Sequence, residues 1–196
     1  MEITLKGDAK IESIPSLKDK ALRINLNENI YGTFAEIGAG QETVRQFFRA
    51  GGASGTIAKA MSAYDKDFSD AVYGIEEDGR YVTESRLKKM LSHEVSLIEK
   101  RLSRDKHPNK MFFSYANTVA TIDFAKQFKG HGWVGISFQI EPDEAYNEII
   151  LHIRFKETDS RLQQETLGIL GVNLIYGAYY KYNDPKKLLR YLYDHL

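Results

Sequence analysis

The chain has 196 residues, the usual size of one domain, and its 27 basic side chains balance its 27 acidic ones. Because it contains no cysteine, disulfide frameworks, zinc fingers, iron–sulfur centres and thiol nucleophiles are excluded. With 42% apolar residues the composition is typical of a folded domain that buries its own core. General nucleic-acid binders carry a basic excess, so we expect no nucleic-acid partner.

Near the N-terminus, apolar runs predict two short strands at 22–26 and 33–37. A helix is then predicted from Gln41, since its apolar residues repeat every three to four positions until Gly51-Gly52 ends the pattern. The same spacing continues after Ser54 and predicts a second short helix there.

The stretch 65–80 has no clear period, and Thr83 is predicted to cap a long amphipathic helix that continues to Leu102. Farther along, residues 160–182 predict a long buried helix, and Asp184-Pro185 opens a final amphipathic helix.

In the middle of the chain the period changes from helical to alternating, and three strands are predicted at 111–122, 133–140 and 148–155. If the last two pair as a hairpin, the numbers of paired residues must add to an odd value, as when Phe138 lies beside Ile149, to place both apolar rows on one face. Trp133 then lies close to His152 or Arg154.

These elements predict an α+β domain spanning 1–196. A three-stranded antiparallel meander, about 111–155, lies within a mixed sheet, packed by short N-terminal helices and long C-terminal helices.

Residues 1–6 show neither a secretory nor a transit pattern. The longest uncharged stretch, 166–180, is shorter than a membrane-spanning helix needs. We therefore expect a cytoplasmic protein without a membrane partner.

The segment 34–40 is the first candidate for chemistry, because an acidic residue, Glu36, precedes the Gly38-Ala39-Gly40 turn. This arrangement superficially resembles the first motif of S-adenosylmethionine methyltransferases, in which glycines let the backbone approach the cofactor. Those enzymes have a second strand next in the chain, whereas two helices are predicted here. A turn between strand and helix is the simpler interpretation.

The glycine-rich segment 51–56 is the second candidate. If it opens a helix, its free N–H groups and the helix dipole form a cradle for a phosphate, to which Arg49 and Lys59 add positive charge. A packed corner between two helices is the alternative interpretation. The residues of the predicted cradle are Arg49, Gly51, Gly52, Ser54, Gly55, Thr56 and Lys59.

Two further groups supply candidate reactive residues. Asp65, followed by carboxylates at 67 and 70, has the oxygen ligands that Mg²⁺ or Ca²⁺ prefers, although solvated loop carboxylates explain the pattern equally well. In the predicted hairpin, His152 and Arg154 converge with His131 on one face, where Glu165, Asn173 and Tyr176 of the long helix are expected to reach them. A cation–π contact between Trp133 and Arg154 is the structural alternative.

Taken together, five segments resemble the N-terminal part of an uncharacterised bacterial family whose members are often named TonB-dependent receptor and sometimes nicotinate-nucleotide adenylyltransferase. The segments are RINL at 23–26, YGTFAEIGAGQE at 31–42, GGASGT at 51–56, SAYD at 62–65 and LGILGVNLIYGA at 167–178.

The receptor name implies export, for which residues 1–6 carry no signal. The adenylyltransferase name implies a Gly-x-[Phe/Tyr]-x-Pro-x-x-x-Gly-His loop, which does not occur in the chain. The resemblance therefore implies an N-terminal domain of a longer protein and transfers no catalytic residue.

The hypothesis favoured by the sequence is a domain that binds a phosphorylated small ligand, with nucleotides among the candidates, and uses the cradle at 51–56. Glu36, Asp65, His152 and Arg154 are the candidate catalytic groups. The alternatives are an interaction module, docking to a C-terminal domain or to itself through the last two helices and their tyrosines, and a methyltransferase.

Overall fold

The computed structural model describes residues 14–102, 104–125 and 127–196, and it confirms the predicted α+β class. Two single 3-10 turns, Ala53–Gly55 and Arg104–Lys106, accompany the regular elements. In chain order these are α1 (Leu17–Asn25), β1 (Ile30–Gly38), α2 (Glu42–Ala50), β2 (Ile57–Ala63), α3 (Lys66–Tyr73), α4 (Glu84–Arg101), β3 (Met111–Ala120), β4 (His131–Phe138), β5 (Asn147–Arg154), α5 (Ser160–Tyr180) and α6 (Pro185–Leu192).

The five strands form one mixed sheet in the order β2-β1-β3-β4-β5. β1 pairs in parallel with both β2 and β3, and β3, β4 and β5 follow as an antiparallel meander. The predicted three-stranded meander is therefore confirmed, and the sheet extends it by two parallel strands.

The β4–β5 register has the predicted parity. Trp133 pairs with His152, and Ile136 pairs with Ile149. The residue numbers of each pair add to 285. This sum is odd, as predicted, but it is two less than the sum for a Phe138–Ile149 pair, so Phe138 lies opposite Asn147 instead. Both apolar rows nevertheless lie on one face, as the alternation of strand side chains requires.

Helices cover both faces of the sheet. One core, which includes Phe34, Phe113 and Val134, lies under α1, α2, α5 and α6, whereas Ala35 and Ala116 face α3 and α4 across the sheet. Side chains of the strands therefore alternate between two apolar layers, which explains why β1 and β3 are buried along almost their whole length.

The first predicted strand is wrong, because residues 22–26 belong to α1 and its C-cap. The helix starts at a capping box in which the Asp19 amide donates to the Ser16 hydroxyl and Asp19 accepts from the Ser16 amide. This reciprocal cap satisfies two amides that a helix N-terminus otherwise leaves without partners.

The short helix predicted after Ser54 is also wrong, because residues 57–63 form the edge strand β2. Its backbone pairs with β1 from Gly32 to Ile37, and this long-range pairing outweighs the helical spacing of its apolar residues. Beyond it, α3 was missed by the pattern, although Asp65 caps it by accepting from the Phe68 amide.

The remaining long helices are confirmed. Thr83 caps α4 by accepting from the Arg86 amide, and Asp184 caps α6 with Pro185 in its first turn. None of the helices described is both long enough and apolar enough to cross a lipid bilayer.

Candidate functional site

Four strand ends meet at one edge of the sheet. β1 ends at Gly38 and β3 ends at Ala120, next to His131 at the start of β4 and Arg154 at the end of β5. In open sheets the crevice outside the carboxyl ends of parallel strands is where ligands usually bind.

A cavity of about 620 Å³ opens at the β4–β5 side of this edge. Its volume is within the usual range for small-molecule sites. No carboxylate among the described residues forms an ion pair with any of the five basic residues that line it. We call this cavity the basic pocket, and its basic residues are Lys129, His131, His152, Arg154 and Lys156.

The uncharged wall of the basic pocket contains Gln163 of α5, and this side chain is buried. Its carbonyl oxygen accepts from the Ile122 amide at 2.7 Å, and its amide nitrogen donates to the Glu157 carbonyl at 2.7 Å. The Glu157 carboxylate is the one acidic group among the described lining residues, and it accepts from the Thr166 hydroxyl at 2.6 Å and the Lys156 amide at 3.1 Å. Its oxygens are therefore already engaged.

The two imidazoles are held by aromatic packing. The His152 ring stacks on Trp133 with centroids 4.5 Å apart, and the His131 ring lies edge-on to His152 at 5.6 Å. Burial lowers the pKa of His131, and the nearby His152 and Arg154 lower it further. Among the described residues, the buried Nδ1 of His131 has no hydrogen-bond partner. An anion beside it would oppose both effects and favour the protonated ring.

The predicted convergence of His131, His152 and Arg154 is confirmed. Trp133 stacks on His152, one of the two neighbours expected for it, so the alternative of a stack on Arg154 is wrong. The side chains expected to reach the cluster from α5 lie under the opposite face of the sheet. There Asn173 binds Lys20 and Tyr176 binds Arg23, while Glu165 pairs with Arg161 on the helix surface.

Glu36 lies near the same edge but on the α2 face, and it is fully buried. It accepts a hydrogen bond from the Val44 amide at the N-terminus of α2, at 3.3 Å. Burial is the largest cause that raises its pKa, to about 8, and it outweighs the lowering effect of the Val44 and Thr43 amides. Asn117 and Tyr115 close the cluster from β3, and no solvent reaches it.

This cluster also bears on the methyltransferase alternative. The predicted pair of successive helices is wrong, and the strand–turn–helix–strand order of a cofactor-binding motif is present. However, the Glu36 carboxyl occupies the α2 N-terminus, and a Cβ at Gly40 would collide with the Asn117 side chain. The protein's own side chains therefore already occupy the first amides of α2 that Glu36 reaches and the space beside Gly40.

The glycine-rich segment lies at the opposite end of the strands from the basic pocket, because the Thr56 carbonyl accepts from the Gly32 amide near the start of β1. The segment leads into a strand, so the helix dipole that motivated a phosphate cradle is missing. Gly51 and Gly52 both adopt positive φ, at 86° and 71°. They serve the turn between α2 and β2.

The polar groups of the predicted cradle are largely engaged elsewhere. Lys59 pairs with buried Glu94 at 2.6 Å, and the Thr56 hydroxyl donates to the Asn25 carbonyl at 2.7 Å. Arg49 and Ser54 are exposed. Gly55 and Thr56 do line a shallower hollow of about 380 Å³, in which Lys106, His107 and Lys110 also lie. Binding of a phosphate by the glycine-rich segment therefore stays a prediction, although the helix on which that prediction was based is missing.

The carboxylates after β2 do not form a cation site. Asp65 caps α3, and Asp70 forms an ion pair with buried Arg86. Within the described ranges, no three histidine or carboxylate side chains lie together so that they could hold a metal ion.

Several tyrosines of the last helices pack inside the domain. Tyr179 contacts Phe113 and Phe138, and Tyr191 stacks on Tyr176 with centroids 5.8 Å apart. Tyr182 and Tyr193 are 38% and 68% exposed, so docking of another protein at these helices stays a prediction.

Among the basic residues of the pocket, Lys129 and Lys156 are the two that the sequence analysis missed. Each lies two positions beyond the last β4–β5 pair, His131–Arg154, and both line the pocket. A search for basic residues just outside the paired ends of the hairpin would have found them.

No protein-family model and no curated protein matches the sequence. The structure is similar to three solved bacterial proteins over most of their lengths. The competence/damage inducible protein CihA from Agrobacterium tumefaciens has a TM-score of 0.58 and 13% identity, over 83% of this chain and 95% of that one. A competence or damage-inducible protein from Enterobacter asburiae has a TM-score of 0.57 and 11% identity, over 84% of this chain and 99% of that one. A competence-damaged protein (CinA) superfamily protein from Enterobacter cloacae has a TM-score of 0.56 and 11% identity, over 91% of this chain and 98% of that one.

The chain shares its fold with these proteins. The family expected from the five sequence segments is therefore wrong, since neither a TonB-dependent receptor nor an adenylyltransferase is among these matches and the fold points to the competence-damage proteins. At 11–13% identity the likeness concerns the fold, and the function must be argued from the site.

Proposed function

We propose that this chain binds a small anionic ligand carrying a phosphate group in the basic pocket. The observation that carries the proposal is the set of cationic side chains around one cavity, with a single carboxylate whose oxygens are already hydrogen-bonded. Like charges held together repel one another, and an anion between them removes that repulsion.

The geometry supports a phosphate group in particular. Arg154 provides a planar guanidinium that can bind two phosphate oxygens at once, and Lys129 and Lys156 provide point charges around it. The His131 ring adds a donor once it is protonated. The proposal keeps the phosphorylated ligand that the sequence predicted. It places the binding site in the basic pocket, at the opposite end of the strands from the glycine-rich segment.

The proposal is tested by calorimetric titration with phosphate, pyrophosphate, sugar phosphates and nucleotides. We expect at least one of these to bind, and Arg154→Gln to weaken that binding roughly tenfold, because a hydrogen bond between charged groups is lost. Lys18→Gln removes the same charge from an exposed position on α1 and serves as the matched control. A panel without binding, or equal affinities for wild type and Arg154→Gln, would overturn the proposal.

A further inference from the structure

A second cavity adjoins the basic pocket along β5. This apolar groove, of about 360 Å³, lies between Leu151 and Ile153 of the strand and Leu189, Tyr193 and Leu196 of the C-terminal segment. The two cavities share the residues at the end of β5, which are His152, Arg154, Phe155, Lys156 and Glu157. A molecule bound at that junction therefore faces cations on one side and an apolar channel on the other.

Three of the apolar side chains that line the groove are about half exposed or more. Leu189 is 56% exposed, Tyr193 68% and Leu196 49%. Contiguous exposed apolar surface usually marks a binding site. These three residues belong to one helix and its end, so they form a continuous wall.

Polar partners in the groove are few. The Thr166 hydroxyl, on its α5 side, already donates to Glu157. A peptide in the groove would bury backbone amides and carbonyls without partners, which is costly. A hydrocarbon chain carries no such groups. The cations at the junction in turn favour an anionic group at the end of that chain.

We infer that the ligand of the basic pocket is a single-chain amphiphile, with its anionic head in the basic pocket and its apolar chain in the groove. The inference rests on the proposed function, because the head is the phosphate-bearing group assigned there. Phosphate and carboxylate heads share the chemistry that Arg154 and Lys156 recognise.

The test is a calorimetric titration with alkyl phosphates from methyl to decyl, each below its micelle-forming concentration. Affinity should rise about fourfold for each methylene that enters the groove, then level off when the chain reaches its end. Leu189→Gln should flatten this rise and leave the affinity for methyl phosphate unchanged. Leu26→Gln, at a 64% exposed position outside the groove, is the matched control.

The outcomes separate the two proposals. If methyl phosphate binds in an Arg154-dependent way and longer chains bind no better, the amphiphile inference fails and the proposed function stands. If no alkyl phosphate binds, the amphiphile inference fails, and the proposed function fails as well only if phosphate, pyrophosphate, sugar phosphates and nucleotides do not bind either. Equal binding of alkyltrimethylammonium ions of the same length would contradict the anionic head. Self-association of the wild-type chain that Leu189→Gln abolishes would assign the groove to a second copy and overturn the inference.

Discussion

The sheet carries two groups of charged side chains, and they are built differently. Toward β2, Arg86 is fully buried against Asp70 and Glu76, and Lys59 pairs with buried Glu94. Toward β5, the cations of the basic pocket have no carboxylate paired with them among the residues described. The first group is closed by its own partners, whereas the second is open.

This difference separates charges that hold the fold from charges that are available to a ligand. A buried ion pair is costly to break, because one member is left without compensation. Unpaired cations at an open cavity add little to stability and attract anions. Substitutions in the two groups should therefore affect different measurements.

The largest effect is expected at the closed group. Arg86→Gln should lower the free energy of unfolding by about 3–5 kcal/mol, because Asp70 and Glu76 lose the buried guanidinium between them. Urea denaturation at neutral pH measures this. Arg45→Gln removes an exposed arginine paired with Glu42 and should cost less than about 1 kcal/mol. Equal losses in the two variants would mean that burial does not set the difference.

Glu36 extends the comparison to a buried acid without a cationic partner. Its pKa is about 8 in the folded chain against an ordinary 4.5, so the folded state keeps its proton longer than the unfolded state. The free energy of unfolding should therefore fall as pH rises through that interval, by about 3 kcal/mol between pH 5 and pH 8, and this contribution should be constant above it.

Glu36→Gln keeps an oxygen that accepts from the Val44 amide and has no proton to lose, so this part of the pH dependence should disappear. Denaturation at the two pH values measures the change, with Glu165→Gln on the surface of α5 as the control. A variant with the full wild-type decline would show that another group causes it.

The open group should respond to pH through its ligand. Burial lowers the pKa of His131, the neighbouring His152 and Arg154 lower it further, and a bound dianion should raise it. Sulfate affinity should therefore fall as pH rises from about 5.5 to 7.5, by up to roughly tenfold. His131→Asn should reduce this dependence. His107→Asn, in the hollow beside Gly55, should keep it, and the reverse result would place the anion at the glycine-rich segment.

The smallest effect is expected for Arg49→Gln. Arg49 is exposed at the opposite end of the strands from the basic pocket, so anion affinity should change by no more than about twofold. Titration with the anion that binds wild type most tightly checks this. A loss as large as that of Arg154→Gln would restore the phosphate cradle predicted at 51–56.

Much of the fold could be predicted where a long segment keeps one period. The antiparallel meander, α4 and α5 are of this kind, and the register parity of β4 and β5 followed from the need to bury both apolar rows together. The errors are short segments near the N-terminus. α1 depends on a capping box just before it, and β2 depends on pairing with β1, which local spacing does not report.

For the site, the sequence placed His152 and Arg154 on one face correctly, because strand alternation decides that. It could not decide which helices cover that face, so Asn173 and Tyr176 were expected on the wrong side. The glycine-rich segment was misjudged for a related reason. Its role depended on whether a helix or a strand follows, and the pairing with β1 makes it a strand.

The helix α1 is joined to α5 by side-chain hydrogen bonds between residues far apart in the chain. Lys20 binds Asn173 and Arg23 binds Tyr176, each across 153 positions. During synthesis these two side chains must therefore wait for α5, which is made long after α2, the other helix on which α1 packs. Until then the side of α1 that faces α5 stays uncovered, while α2 can already cover the other side.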